Sequence, residues 1–438
     1  MGFVLFVLLN AVLFIRLEEL WPESAGLRLY LIVISLAALL SLPDVLHHLR
    51  PSEIAKRPIT VCVFGLFLAT ALSLLARGRG DDAAELVPEF GKVVVYYLLM
   101  VSVVNTPGRL RTFLGFLVLV IGVVAILGLL QYHEVIDISA LRPVEQSEVD
   151  PTTGEVIFYP RLCSAGIFND PNDLCLLLTL GIICCGYRAA TAGGYLAAGA
   201  WLAPIALFGY TMILTRSRGG MLGLIAAAAA YLVAKVGWRR ALPYILTGPP
   251  IALLLVGGRQ ANIGLDAHDT AYERVMLWAE GLAGMLHSPS FWLTGIGAGT
   301  YADEMGRVAH NSFVHAYVEL GMFGGTLFLV AFALAVRMLF RLCQPLRRPL
   351  PRRLATFPPF LLAAVVGYCG GMYSLSRNYI VPTFMCLGLA SSYLAMAVPE
   401  PPARYRVSWV WAKESIAIGV GGLVFLKVFT QIASLVGG

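Results

Sequence analysis

The sequence predicts an all-α, polytopic integral membrane protein, a bundle of about 12–13 transmembrane helices with a large, partly helical periplasmic loop. Of its 438 residues, 58% are apolar and only 13% are charged, whereas soluble domains carry roughly a quarter charged residues. Apolar runs approaching the roughly 20 residues that cross a bilayer recur along the chain. Lys and Arg gather in alternate connecting loops, as the positive-inside rule predicts for a multi-pass protein.

The composition excludes several classes of protein. There is too little polar surface to cover a soluble globule of this size, which argues against an ordinary cytosolic enzyme, a disordered chain or a nucleic-acid binder. The eight cysteines lie mostly in apolar runs, and none forms a C-x-x-C pair. We therefore interpret them as small core residues rather than as a disulfide or zinc framework.

Apolar runs divide the chain into thirteen candidate spans, several of them short. The first has no basic segment before it and leads into Arg16, so we predict a span rather than a cleaved signal peptide. A thirteenth span would place the C-terminus outside. The candidate spans are residues 2–15, 27–46, 59–76, 92–104, 113–130, 174–187, 195–213, 221–234, 241–256, 322–338, 359–374, 382–397 and 415–435.

The loops predict which side of the membrane does the chemistry. With the N-terminus in the cytoplasm, the inside loops are short and basic, so the net charge of +6 sets topology rather than marking a polyanion site. The two long segments then lie outside, and long loops carry function more often than short ones. We divide one integrated membrane domain into 1–256 (an N-terminal bundle with the periplasmic loop 131–173), 257–321 (a periplasmic catalytic loop region) and 322–438 (C-terminal helices).

Two polar segments adjoin spans in the first region. Arg161 precedes the run Asn169-Asp-Pro-Asn172-Asp173, which is typical of a turn and a capped helix start. Helix capping alone could account for the run 169–173. The alternative, functional interpretation is that Arg161 also presents a positive charge to the outer face. Arg216 and Arg218 lie in the tight turn 215–220, which is predicted to be an outside loop. Outside loops usually contain few arginines, so two in one short turn are unusual. Arginine suits bidentate phosphate recognition, although anchoring to lipid phosphates is the alternative.

Two further segments precede the span at 322–338. The run 272–280 is predicted to be helical and places Arg274 and Trp278 on one face. It is followed by Gly295-x-Gly297-x-Gly299, which we interpret as a tight backbone turn because no nucleotide-binding context surrounds it. Next come His310 and Asn311, then His315 and Glu319, which are four residues apart and could hydrogen-bond on a helix. His310 is either a structural histidine or a base that titrates near neutrality.

These motifs together resemble a known family. His310-Asn311, then Gly321 and Gly324, resembles the signature of the O-antigen ligase and polymerase superfamily of bacterial membrane glycosyltransferases. No single motif is strong, but five occur in the family's order across about 160–325. The other four are Arg161 with Gly166 and Pro171-Asn172, the Ser217-Arg218-Gly219 turn, the Arg274–Trp278 pair, and Gly295-x-Gly297.

The resemblance implies a function and a location. Such proteins sit in the bacterial inner membrane with the active site facing the periplasm, and they transfer a glycan from undecaprenyl diphosphate to an acceptor hydroxyl. The sequence has no D-x-D pair and no cluster at metal-ligand spacing. We therefore expect no metal and no cofactor, with arginine neutralising the diphosphate leaving group instead. Attack from the opposite face would invert the anomeric centre.

The resemblance also implies roles for particular residues. His310 would be the base or orienting group, and Arg218 and Arg274 would contact the diphosphate. The expected partners are the lipid-linked donor, a lipid A–core or glycan acceptor and membrane lipid, but no nucleic acid. Further contacts to the diphosphate or glycan are expected from Arg161, Arg216, Asn172, Asn311, Trp278, His315 and Glu319.

The motifs leave alternatives open. A ligase would use lipid A–core as acceptor and a polymerase another carrier-linked repeat unit, and both need the same donor chemistry; we favour the ligase type. A transporter of lipid-linked glycans would need ionisable groups inside the spans. The predicted span interiors are almost free of charged residues, and Lys427 is the exception. A purely structural scaffold would not need arginines on the outer side.

Overall fold

The computed structural model describes residues 1–20, 22–149, 156–256, 270–345 and 349–436, and it is 79% helical. Its long helices, numbered in chain order, are α1 (Gly2–Ile15), α2 (Leu29–His48), α3 (Pro58–Leu75), α4 (Gly80–Val103), α5 (Pro107–Tyr132), α6 (Pro171–Ala190), α7 (Leu202–Leu214), α8 (Arg218–Val236), α9 (Trp238–Val256), α10 (Thr270–His287), α11 (Ser312–Cys343), α12 (Pro358–Met372), α13 (Val381–Ala397) and α14 (Trp409–Val436). The short helices are Leu17–Leu20, Pro51–Ile54, Tyr195–Gly199, Pro289–Thr294, Tyr301–Met305 and Arg352–Ala355, with 3-10 turns at Pro22–Leu27, Ser139–Leu141, Gly166–Phe168 and Ala403–Tyr405.

Each predicted apolar run corresponds to a helix, apart from one or two residues at some ends and a turn at 200–201 that divides the run 195–213. In the described part of the chain, ten helices are long and apolar enough to cross a membrane. The remaining three predicted runs correspond to α1, with 14 residues, α13, with 17 residues, and α9, which contains three prolines. The largely helical fold is thus confirmed, and the helix predicted over 272–280 is part of α10. The first part of the predicted loop 257–321, residues 257–269, lies outside the described residues.

One β-hairpin was not predicted. Strands β1 (Val144–Val149) and β2 (Val156–Arg161) pair antiparallel, with Val144 opposite Arg161. The β2 sequence is rich in β-branched and aromatic residues, which favour strands. The hairpin lies between α5 and α6, in the predicted long segment 131–173. Its last residue is Arg161, one of the candidate site residues.

The chain forms two compact units, each made of several chain segments. Unit 1 comprises residues 1–41, 106–262 and 347–371, and unit 2 comprises 42–105, 263–346 and 372–438. In unit 1, α6 packs against α5, α7 and α8. In unit 2, α11 packs against α3 and α14, α13 packs against α4, and α10 contacts both α11 and α14. The three-part division of the chain stays a prediction.

Glycines allow close helix contacts in unit 1. A Cβ atom at Gly220 would overlap the side chain of Cys175, where α8 meets α6. A Cβ atom at Gly223 would lie 3.0 Å from the carbonyl oxygen of Gly367, where α8 meets α12. Since the Gly220 position is filled by a neighbouring helix, its glycine serves helix packing in this structure.

Helix α11 is interrupted at Gly321, against the turn at Gly295–Gly297. Gly321 has φ 64° and ψ −165°, outside helical values, and Gly295 and Gly297 have φ 75° and 120°. The N–H of Ile296 donates to the carbonyl of Val318 (2.9 Å), and the N–H of Gly297 donates to the carbonyl of Glu319 (3.1 Å). The predicted tight turn is therefore confirmed, and it docks backbone to backbone on the break in α11.

We expect Gly321→Ala to destabilise unit 2 more than Gly306→Ala does. Both glycines have positive φ, 64° and 73°, which costs an alanine roughly 1–2 kcal/mol. A Cβ at Gly321 would also lie 2.5 Å from the backbone of Leu293, whereas nothing lies within 4 Å of one at Gly306. Thermal unfolding in detergent measures the difference, and equal losses of stability would show that the close approach is not required.

Candidate functional site

Arg161 is buried in unit 1 and organises the surrounding loop. Its side chain is 8% exposed. Nε donates to the carbonyl oxygen of Thr215 (2.9 Å), Nη1 to Oε1 of Gln146 (2.8 Å) and Nη2 to Oδ1 of Asn172 (3.2 Å). The guanidinium thereby connects β1, the start of α6 and the turn before α8. These contacts favour a positioning role for Arg161 and Asn172.

The predicted helix start at Asn169–Asp173 is confirmed. Asp170 is the N-cap of α6, and its carboxylate accepts a hydrogen bond from the backbone N–H of Asn172 (2.7 Å). Pro171 occupies the first helical position, where its missing N–H is not needed. Asn172 Oδ1 also accepts from the hydroxyl of Ser217, which joins this cap to the arginine turn.

The turn 215–220 presents Arg216 and Arg218. Ser217 is the N-cap of α8, and its hydroxyl accepts from the N–H of Gly220 (2.9 Å). Arg216 has a left-handed φ of 50°, and its guanidinium lies 4.8 Å from the ring centre of Tyr159. Arg218 is the first helical residue, and both arginine side chains are half-buried. A cation at a helix N-terminus opposes the macrodipole, so an anion bound there would be favourable.

We expect Arg161→Ala to lower stability as well as any activity. The variant would leave buried acceptors on Thr215 and Asn172 without their charged donor, at a cost on the order of 3 kcal/mol. Thermal unfolding measures this loss. Unchanged stability together with lost activity would instead indicate that Arg161 contacts the ligand directly.

In unit 2, Arg274 and His310 line the same cavity. It has a volume of about 330 Å³, and its other lining residues are Glu273, Leu277, Arg307 and Val308. Arg274 comes from the first turns of α10, and His310 comes from the segment just before α11. Arg307 is paired with Glu273 (3.0 Å) at the exposed rim. A cation and an imidazole from distant parts of the sequence are thus brought together.

Trp278 fixes the backbone that carries His310. Its indole Nε1 donates to the carbonyl oxygen of Ala309 (2.5 Å), and the side chain is only 8% exposed. The indole also lies near Phe429 of α14, with ring centres 6.4 Å apart. Because Trp278 lies one turn after Arg274 on α10, this bond sets the spacing between Arg274 and His310. The geometry favours a positioning role for Trp278.

His310 adopts an unusual backbone conformation, and Asn311 begins α11. His310 has φ 50°, the left-handed region that is costly for most residues other than glycine and asparagine. Asn311 is the N-cap, and its Oδ1 accepts from the N–H groups of Phe313 (3.0 Å) and Val314 (3.2 Å). The strained residue therefore directs the imidazole into the cavity just before a well-capped helix.

The predicted pair of His315 and Glu319 is in contact. Nε2 of His315 lies 2.7 Å from Oε1 of Glu319, whose side chain is fully buried. Oε1 also accepts from the backbone N–H of Tyr301 (3.0 Å), and Oε2 accepts from the hydroxyl of Tyr379 (2.7 Å). Burial and the nearby Glu319 raise the pKa of Tyr379 well above its usual range, so its phenol remains a donor at neutral pH.

The loop 373–380, between α12 and α13, is part of this region and was missed by the sequence analysis. Besides Tyr379, it contributes Asn378, whose Nδ2 donates to the carbonyl of Ser312 (2.8 Å), and Arg377, whose N–H donates to the Ser312 hydroxyl (2.9 Å). A polar Ser-Arg-Asn-Tyr run in a short loop between apolar runs was the available signal. This run matches no motif, so the sequence alone does not assign it to the site.

The candidate residues fall into two groups, one in each unit. Arg161, Asn172, Arg216 and Arg218 belong to unit 1, whereas Arg274, Trp278, His310, Asn311, His315 and Glu319 belong to unit 2. In the described residues, no three His, Cys, Asp or Glu side chains group closely enough to hold a metal ion. No protein-family model, no curated protein and no solved structure matches this chain.

Proposed function

We propose that this protein is a membrane glycosyltransferase that moves a glycan from undecaprenyl diphosphate to an acceptor hydroxyl, of the O-antigen ligase type. The observation that carries the proposal is the cavity shared by Arg274 and His310. An arginine can stabilise the negative charge that develops on the diphosphate as its glycosidic bond breaks. An imidazole can accept the proton of the acceptor hydroxyl. The order of motifs across 160–325 supports the same assignment.

Insertion in a membrane is supported by the exposed faces of the helices. In α2 and α14, only 17% of the most apolar stretch is buried within the protein. Large apolar side chains are exposed along them, such as Leu39 (66%) and Phe425 (59%). Exposed apolar surface of this extent is unfavourable in water and natural in lipid. We therefore propose a multi-pass protein of the bacterial inner membrane, with the site facing the periplasm.

The proposed reaction divides the work between a base and cations. His310 takes the proton of the acceptor hydroxyl, whose oxygen attacks the anomeric carbon while the bond to the diphosphate breaks. Arg274 stabilises the charge that develops on the departing diphosphate. We also propose that Arg218 binds the diphosphate, as the resemblance implies. Because Arg218 belongs to unit 1, this prediction is separate from the one for Arg274. Trp278 holds the base in place through Ala309.

Purified protein tests the proposal directly. It is incubated with undecaprenyl-diphosphate glycan and either lipid A–core or additional donor, with a chelator present. Product on lipid A–core supports a ligase, whereas a ladder on the carrier identifies the polymerase alternative. Absence of any product in the presence or absence of added divalent metal would refute the glycosyltransferase. Product only with metal would refute the arginine mechanism.

A further inference from the structure

A second cavity adjoins the first cavity, the one that contains Arg274 and His310. The second cavity has a volume of about 410 Å³. Three residues line both cavities, namely Glu273, Leu277 and Arg307. Because the cavities share these walls, a group bound in one lies next to a group bound in the other. The remaining lining residues of the second cavity are Tyr272, Met276, Glu280, Met305 and Gly306.

The same two chain segments form both cavities. One is α10, on which Glu273 and Glu280 are seven residues apart and therefore share a face. The other is the segment 305–310, which begins in the second cavity and ends at His310 in the first. Between them, Nη1 of Arg307 lies 3.0 Å from Oε2 of Glu273. This ion pair connects the two segments at the boundary between the cavities.

The second cavity combines hydrogen-bonding groups with apolar surface. Ionised carboxylates such as Glu280 accept hydrogen bonds, and the guanidinium of Arg307 has five N–H donors, more than its pair with Glu273 uses. Tyr272 and Met276, one turn apart on α10, add apolar surface, and Met276 is 42% exposed. Sugar rings carry hydroxyl groups as well as apolar C–H faces, so this mixed lining suits a sugar.

The charged residues distinguish the two cavities. In the first cavity, the cations Arg274 and Arg307 outnumber the one carboxylate, that of Glu273. In the second cavity, the carboxylates of Glu273 and Glu280 outnumber the one cation, that of Arg307. The first cavity therefore favours an anionic group such as a diphosphate, whereas the second disfavours one.

We propose that the second cavity binds an uncharged sugar residue next to the reacting bond, and that Glu280 selects against phosphorylated or acidic sugars there. This inference rests on the proposed function, which places the diphosphate beside Arg274. Glu280 accepts a hydrogen bond from one hydroxyl group of the sugar, Arg307 donates to another, and Met276 packs against the ring. The sugar belongs to the acceptor or to the donor, since both carry hydroxyl groups and both reach the reacting bond.

Three variants test the inference. Glu280→Ala removes the acceptor of the hydrogen bond and should raise the KM of one substrate, lipid A–core or undecaprenyl-diphosphate glycan, by about three- to tenfold. Met276→Trp places a larger side chain in the second cavity and should raise the KM of the same substrate. Glu280→Gln keeps an accepting oxygen without the charge. It should reduce the preference for the neutral form of that substrate, over a form with one phosphate on the adjoining sugar, by about two- to fivefold.

Glu85 provides the matched control. It is an exposed glutamate of the same unit that lines neither cavity. Glu85→Ala and Glu85→Gln should leave both KM values and the preference for the neutral sugar unchanged. Because Glu280 and Met276 are exposed, their variants should also unfold at the wild-type temperature in detergent.

The pattern of KM values decides the inference. A rise confined to lipid A–core identifies the acceptor as the source of the sugar, and a rise confined to undecaprenyl-diphosphate glycan identifies the donor. Unchanged KM values, an equal rise for both substrates, an unaltered preference in Glu280→Gln or a lower unfolding temperature in Glu280→Ala would overturn the inference. If the wild-type protein transfers no glycan, the proposed function itself fails, and this result precedes any variant.

Discussion

We expect His310→Asn to lower glycan transfer by about 10²–10⁴-fold while the protein stays folded, because the variant removes the proposed base. Asparagine is the informative replacement, since it tolerates the left-handed backbone that His310 adopts at φ 50°. The loss can then be assigned to the imidazole rather than to the backbone. Initial rates with lipid-linked donor and the preferred acceptor are the measurement.

Two companion variants complete this experiment. His310→Ala loses the ring and meets the left-handed strain, so we expect it to be as inactive and also less stable. His310→Gly relieves the strain and should unfold at or above the temperature of the alanine variant. Wild-type transfer by His310→Asn would exclude His310 as the base and direct attention to His315, whose Nε2 contacts Glu319.

We expect Arg274→Ala to lower transfer by roughly 10²–10³-fold, the range observed when one stabilising donor is removed from a reaction centre. The effect should fall mainly on kcat, because charge on the diphosphate develops as its bond breaks. Arg274→Lys restores the charge without the planar fork and should recover only part of the rate. Single-turnover rates with undecaprenyl-diphosphate glycan measure the chemical step.

Arg142 provides the matched control for this arginine. It is exposed, with 64% of its side chain accessible, and it pairs with Asp137 in unit 1. Removing it should leave the rate within twofold of wild type. If Arg274→Ala behaves like Arg142→Ala, the cavity that Arg274 shares with His310 is not where the diphosphate leaves.

Helix positions could be predicted from the sequence because each depends on local composition. A run of apolar residues long enough to span lipid specifies a helix without reference to its neighbours. The Asp170 cap and the Gly295–Gly297 turn were also predictable, since each rests on residues adjacent in the chain. The hairpin β1–β2 could not be predicted in this way, because it depends on pairing between two short segments. The long helical segments on either side gave no indication of strands.

The site was predictable only in part, for the same reason. The sequence identified Arg274 and His310, but not that Trp278 binds the carbonyl of Ala309, 31 residues away. Arg161 was expected to face outward, yet it is buried because the carbonyl of Thr215, 54 residues later, accepts its Nε–H. Asn378 and Tyr379 belong to no motif, and only the fold returns their loop to the start of α11.

The break at Gly321 has a consequence for how α11 meets the bilayer. An unbroken helix of 32 residues would measure about 48 Å, far more than a hydrocarbon core of about 30 Å. The part after Gly321 measures about 33 Å and matches the core alone. In a protein inserted as proposed, Gly321 would mark the edge of the hydrocarbon core, and the turns before it, with His315 and Glu319, would form a separate helical segment outside that core. The contact between His315 and the buried Glu319 would then be enclosed by protein outside the hydrocarbon core rather than placed within lipid.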